Sequence, residues 1–197
     1  MSALSRKPAP RKKTHYERYF EGYIDTAAVT DKGTVKVVKV YVAPYWVHDL
    51  DDRAWVRRKL LCGLLTLLIL GLYALASFLP LESNHSLMVI LPAGLTLACL
   101  VFLACAAGSY VMCPRRMTVY EHSHNSSALC RWSLLTAVGM AACGVMTLAH
   151  LLVSSGGELM GTLLCAGCYL AGGAGSFLLY RTEAATEYHE EENDGPR

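Results

Sequence analysis

LLCGLLTLLILGLYALASFL, residues Leu60 to Leu79, decides the fold. It carries no charge over its whole length, and a helix of about 20 residues rising about 1.5 Å each covers the roughly 30 Å hydrocarbon layer of a bilayer. Three further uncharged stretches are as long or longer: Leu87–Cys113, Ser133–Val153 and Leu159–Tyr180. None of the chain's 18 Lys and Arg or 16 Asp and Glu residues lies in any of the four. With 53% of its 197 residues apolar and 17% charged, the chain averages only mildly hydrophobic, so the signal lies in how charge is distributed. The expected fold is an all-α membrane protein, a four-transmembrane-helix bundle with spans near 60–79, 87–113, 133–153 and 159–180 inside a domain of residues 59–180. This reading excludes a soluble enzyme, a secreted disulfide scaffold and a free nucleic-acid binder.

Thirteen of the 18 basic residues precede the first span, among them Arg57, Arg58 and Lys59 at its edge. Lys and Arg are retained on the cytoplasmic side, which places the N-terminus there. Arg115, Arg116 and Arg131 between the second and third stretches agree, and the short connectors Glu82–Ser86 and Ser154–Glu158 carry no Lys or Arg. Four spans return the C-terminus to the cytoplasm. No short apolar region with a small-residue cleavage site opens the chain, so the first span reads as an uncleaved anchor. The expected location is the plasma membrane of a bacterium.

Residues 1–18 form a basic arm with Pro8 and Pro10, expected to be disordered and drawn to anionic lipid headgroups. Docking of this arm on RNA or an acidic protein is the weaker reading, and no nucleic-acid partner is expected. The tail, residues 181–197, is acidic and likewise reads as disordered, although opposite charge would let the two ends meet. Between arm and first span, residues 19–58 read as a cytoplasmic β-hairpin and an interfacial elbow. Tyr19–Val29 and Thr34–Val42 are rich in Val, Thr, Tyr and Ile, with Asp31-Lys32-Gly33 as turn. A slip in alternation at Val37-Val38 suggests a bulge or a strand changing faces. A two-stranded hairpin is marginal alone and calls for a covering surface. Trp46, Trp55 and Trp132 suit the headgroup layer, where a ring is half wet and half buried. Thr118-Val-Tyr-Glu121 has the form of a capping box, consistent with a short surface helix in the 114–132 connector, and Ser126 or Ser127 would then cap the third span.

Few residues suggest chemistry. Cys165-Ala-Gly-Cys168 puts two thiols on one face of the fourth span, near enough to one boundary for a membrane quinone to reach. Thiol oxidoreductases of this kind also need a second cysteine pair, and the outer connectors have none. Packing of a small residue is the plainer account. Glu121, His122, His124 and Cys130 are metal-ligand types without a zinc spacing, so no metal is expected, and no cofactor. Asn84-His-Ser86 and Asn125-Ser-Ser127 match the glycosylation sequon, one hugging the membrane and one facing the cytoplasm, and neither is expected to be modified. His150 near a span end reads as a neutral, hydrogen-bonded imidazole, and Pro92 as a kink.

Gly167, Ala171 and Gly175 recur every four residues along the fourth span. Small residues let helix backbones approach closely in lipid. The function expected from the residues is that of a non-enzymatic interaction or accessory subunit, partnered by another membrane protein or by a second copy. The alternatives are a thiol-disulfide oxidoreductase using Cys165 and Cys168 with quinone, and a small channel or passive transporter.

Overall fold

The computed structural model describes residues 14–29, 35–153 and 158–193. In chain order the elements are α1 (His15–Tyr19), β1 (Tyr23–Val29), β2 (Val35–Tyr41), β3 (Tyr45–His48), α2 (Asp52–Phe78), α3 (Glu82–His85), α4 (Leu87–Met112), β4 (Arg116–Met117), α5 (Val119–Val153), α6 (Leu159–Ala184) and β5 (Tyr188–Glu191). Helices α2, α4, α5 and α6 are each long and apolar enough to cross a membrane. α2 and α5 each pack on both α4 and α6, so α4 and α6 take opposite corners of a four-membered ring. Ile69, Leu100, Leu103, Met140 and Tyr169 fill its axis. Hydroxyls inside the ring bond back to carbonyls one turn earlier, Thr66 to Cys62, Thr96 to Pro92, Ser133 to Leu129, Thr147 to Cys143 and Ser176 to Gly172. This satisfies them without leaving the apolar interior. α4 runs unbroken through Pro92.

Three of the helices outrun their uncharged stretches at one end of the ring, the polar end. α2 starts at Asp52 and α6 continues to Ala184. α5 is 35 residues long and absorbs the segment expected to form a separate surface helix. No Gly or Pro occurs between Val119 and Trp132 to stop it. The capping box is present but opens α5 itself: Glu121 N–H donates to Thr118 Oγ1 over 3.3 Å, and Thr118 N–H donates to Glu121 Oε2 over 2.8 Å. Ser126 and Ser127 therefore lie within α5 and cap nothing.

The hairpin forms as expected, with an unbroken antiparallel register from Tyr23 opposite Tyr41 to Val29 opposite Val35. The turn expected at Asp31-Lys32-Gly33 lies outside the described residues, as does most of the basic arm. No bulge occurs at Val37-Val38, which face Ala27 and Thr26 in regular pairing. Val37 is 73% exposed and Val38 is exposed too, so neither face of the hairpin is buried and strict alternation is not demanded. A file of rings, Tyr16, Phe20, Tyr23, Tyr41 and Tyr45, runs along its base, and Tyr19 meets Tyr120 of α5 at 5.0 Å between centroids. Gly22 at φ +86° makes the bend into β1, where a Cβ would lie 2.6 Å from that of Ala43. Tyr41 Oη donates to the Pro44 carbonyl and accepts from the first amide of α5, at Val119. Burial holds this phenol's pKa above its ordinary value, which keeps the donated proton in place.

The tail is not disordered in the described residues. β5 pairs with β3, whose other edge takes β4, giving a three-stranded sheet in the order β4-β3-β5. Side chains add to the strand pairing: Arg116 Nη2 lies 2.6 Å from Glu191 Oε1, and His189 Nδ1 meets Asp49 Oδ1. Asn193 Nδ2 donates 2.8 Å to the Tyr41 carbonyl. Both described ends of the chain thus lie at the polar end.

Candidate functional site at the polar end

The last turn of α6 carries Glu183 into the bundle, where it is only 4% exposed. Its Oε1 accepts from Ser126 Oγ of α5 at 2.7 Å and from Tyr188 Oη at 2.6 Å. Burial and the Glu183 carboxylate hold the Tyr188 pKa above its ordinary value, so the phenol remains a donor. The Tyr110 phenol of α4 is buried beside the same groups. From α2, Arg58 donates to the Thr182 carbonyl at 2.6 Å and contacts the Thr186 hydroxyl, and Lys59 contacts the Cys113 carbonyl while its ammonium lies 5.1 Å over Trp55. Two cations thus sit at the C-terminal ends of α6 and α4, where carbonyl dipoles favour them. Arg57 is exposed.

Of the three Trp residues, Trp132 stays at the outer surface, stacked on Phe102 at 4.4 Å. Trp46 belongs to β3 and stacks on His122 at 4.7 Å. Trp55 is buried between His48 and Tyr110, so it does not reach the outer surface as expected of an interfacial ring. The reason is periodic: Trp55, Cys62, Ile69 and Ala76 recur every seven residues on the inward face of α2, interleaved with Thr66 and Tyr73. The same rule explains what sequence reading missed. The inward face of α6, with Cys165, Tyr169, Gly172, Ser176 and Leu179, reaches Glu183 in step, four residues beyond Leu179.

That face also relocates close packing within the bundle. A Cβ on Gly172 would meet Met140, and one on Gly173 would lie 3.3 Å from the Ala137 carbonyl oxygen. A Cβ on Gly167 would meet nothing within 4 Å, Ala171 is exposed, and Gly175 is half-buried beside Ile69. Gly167 and Ala171 thus face outward, whereas Gly172 and Gly173 pack against α5 and Gly175 against Ile69 of α2. Cys165 and Cys168 face inward and are buried; Cys165 Sγ lies 3.5 Å from the Ala76 carbonyl and 3.7 Å from Asn84 Oδ1. Asn84 itself donates to the Ala76 and Leu79 carbonyls, which ties the sequon asparagine into the end of α2. All eight cysteines are free. Glu121, His122 and His124 are engaged separately, with Thr118, with Trp46 and Tyr188, and with Tyr120. Among the described residues no cluster of three metal-ligand types forms.

β3 also buries His48, 1% exposed, against Trp55 at 4.0 Å between ring centroids. Beside it, a cavity of about 450 Å³ is bordered by Asp49, Arg115, Arg116, His189 and Glu191. Arg115 pairs with Asp52 at the start of α2 and so ties the sheet to the bundle, whereas Arg116 with Glu191 and His189 with Asp49 link strands of the sheet to one another. Burial, and after it the charge of Arg115, lowers the His48 pKa below its ordinary 6.5. The folded state therefore refuses a proton that the unfolded chain accepts. This stability is fully present above pH 6.5 and is lost as pH falls from there through the lower folded value. The thermal midpoint in detergent is expected to drop over that interval, and His48→Phe, which keeps a ring against Trp55, to flatten the drop. An equal drop in the variant would assign the pH dependence to other groups.

The arrangement is one of interlocking, with the polar groups at this end spent on joining α2, α4, α5, α6 and the sheet. No family model matches the chain, and no curated protein and no solved structure is significantly similar to it.

Proposed function

We propose that the chain is an integral membrane protein, with both ends in the cytoplasm, that serves as a non-enzymatic accessory subunit of a membrane assembly. The observation that carries this is the outward stripe of α6. Gly167 and Ala171 present only small groups to the outside along the same helix as the exposed Leu163 and Leu178, while the bundle is closed by other residues of that helix. In lipid there is little hydrophobic drive between helices, and exposed small residues are where a further helix gains backbone contact. The exposed hairpin, anchored at its base and open on both faces, offers a second contact outside the bilayer. The concentration of Lys and Arg before α2 and between α4 and α5 supports the cytoplasmic placement.

The test is the mass of the intact complex after gentle detergent extraction at native expression. The wild-type chain is expected to leave the membrane with a stoichiometric second subunit or copy. Gly167→Leu/Ala171→Leu should release it as a monomer without changing its unfolding midpoint. A wild-type monomer with nothing bound, or an assembly unmoved by the double variant, would sink the reading.

A further inference from the structure

We propose that the groove between α1 and the polar part of α5 binds the headgroup region of an anionic phospholipid. The groove has a volume of about 540 Å³. Its floor is apolar, formed by Phe102, Trp132, Val119 and Ala128, and its rim carries Arg18 from α1 and Arg131 from α5. Trp132 is the last residue before the uncharged stretch of α5, and it stacks on Phe102, eleven residues inside the uncharged stretch of α4, so the groove joins a charged rim to the apolar surface of the long helices. Phe102, 51% exposed, continues downward into the outward apolar surface of α4 at Val101 and Leu95, so acyl chains have a path from the groove along the helix.

Guanidinium groups match phosphate oxygens in geometry as well as charge, and two from different elements can hold one phosphate between them. Ser123 and His124 add polar groups to the rim. Glu21 also borders the groove, so the site is not uniformly positive. The joining of an apolar floor to a cationic rim is what distinguishes a lipid from a free phosphate, which would use only the rim. The proposal rests on placing the four long helices in a bilayer and is independent of any partner on α6.

The experiment uses the full chain extracted from membranes in mild detergent, since recovery in that fraction tests the membrane placement separately. Native mass spectrometry then follows retention of added phosphatidylglycerol and phosphatidylcholine. The wild type is expected to keep one phosphatidylglycerol in roughly ten-fold preference, a magnitude in keeping with two arginines at an anionic surface. Arg18→Gln/Arg131→Gln should bring the two lipids level. Ser123→Phe, which fills the groove with every charge kept, should do the same, and it decides the matter if the double arginine variant fails to fold. Three outcomes would each overturn the proposal: retention unchanged in Ser123→Phe, preference abolished by Arg11→Gln/Lys12→Gln/Lys13→Gln with the groove intact, or displacement of the lipid by millimolar inorganic phosphate.

Discussion

Gly173→Leu is expected to part α5 from α6 and remove most of the stability of the bundle. A Cβ at this position already stands 3.3 Å from the Ala137 carbonyl oxygen and 3.5 Å from the Ala141 amide nitrogen, both backbone atoms of α5. A flexible side chain can swing aside, but a helix backbone yields only by moving as a whole. The isobutyl group must then separate two helices over several turns, at the upper end of overpacking costs, about 3 kcal/mol or more, out of a typical total of about 5–15 kcal/mol. Gly172→Ala should cost less, because its Cβ meets the movable end of Met140. Gly167→Leu should leave the isolated chain untouched. Thermal unfolding in one detergent ranks the three. If Gly167→Leu destabilised the chain as much as Gly173→Leu, the two faces of α6 would be wrongly assigned.

Glu183→Ala is expected to loosen the polar end and release β5. The substitution removes the shared acceptor of Ser126 and Tyr188 and leaves both hydroxyls near an apolar interior. Hydrogen bonds to a charged group contribute about 1.5–3 kcal/mol, and stranded buried donors cost more, so a loss of about 2–4 kcal/mol follows. Glu183→Gln retains one acceptor oxygen and should fall between. Hydrogen exchange supplies the local readout: the amides of β3 and β5 should lose protection in Glu183→Ala, and in Tyr188→Phe with a smaller loss of overall stability. Full protection of β5 in Glu183→Ala would show that strand pairing alone holds the tail.

The four long helices are legible in the residues because a bilayer sets a minimum length for an uncharged run, and that physical length is visible in any sequence. Their polar ends are not, because a helix leaving the hydrocarbon layer accepts charged and polar residues freely; the segment from Val119 to Trp132 looks like a connector and is helix. The hairpin announces itself through β-branched residues. β5 does not, since Tyr188-His-Glu-Glu191 contains a single good strand former and takes its shape from pairing with β3. The same limit hid Glu183. Among six acidic residues after Tyr180, composition alone gives no reason to single it out, whereas the four-three spacing of inward residues on α6 carries straight to it. The burial of Trp55 is hard to read for the converse reason: aromatic residues beside basic ones suggest a half-exposed ring, and the seven-residue repeat with Cys62 and Ile69 turns it inward.

The three-stranded sheet has a consequence for the order of assembly. Its central strand, β3, precedes every long helix, whereas β5 follows all of them. During synthesis β3 must wait with one edge bare until the last residues arrive. Those residues reach it only when an even number of long helices has folded back and forth, for a single misplaced helix delivers the tail to the far end. A completed sheet is therefore a certificate that the whole ring is in place. An incomplete chain, by contrast, exhibits an open strand edge of the kind that recruits foreign strands, marking itself for capture before it can join anything else.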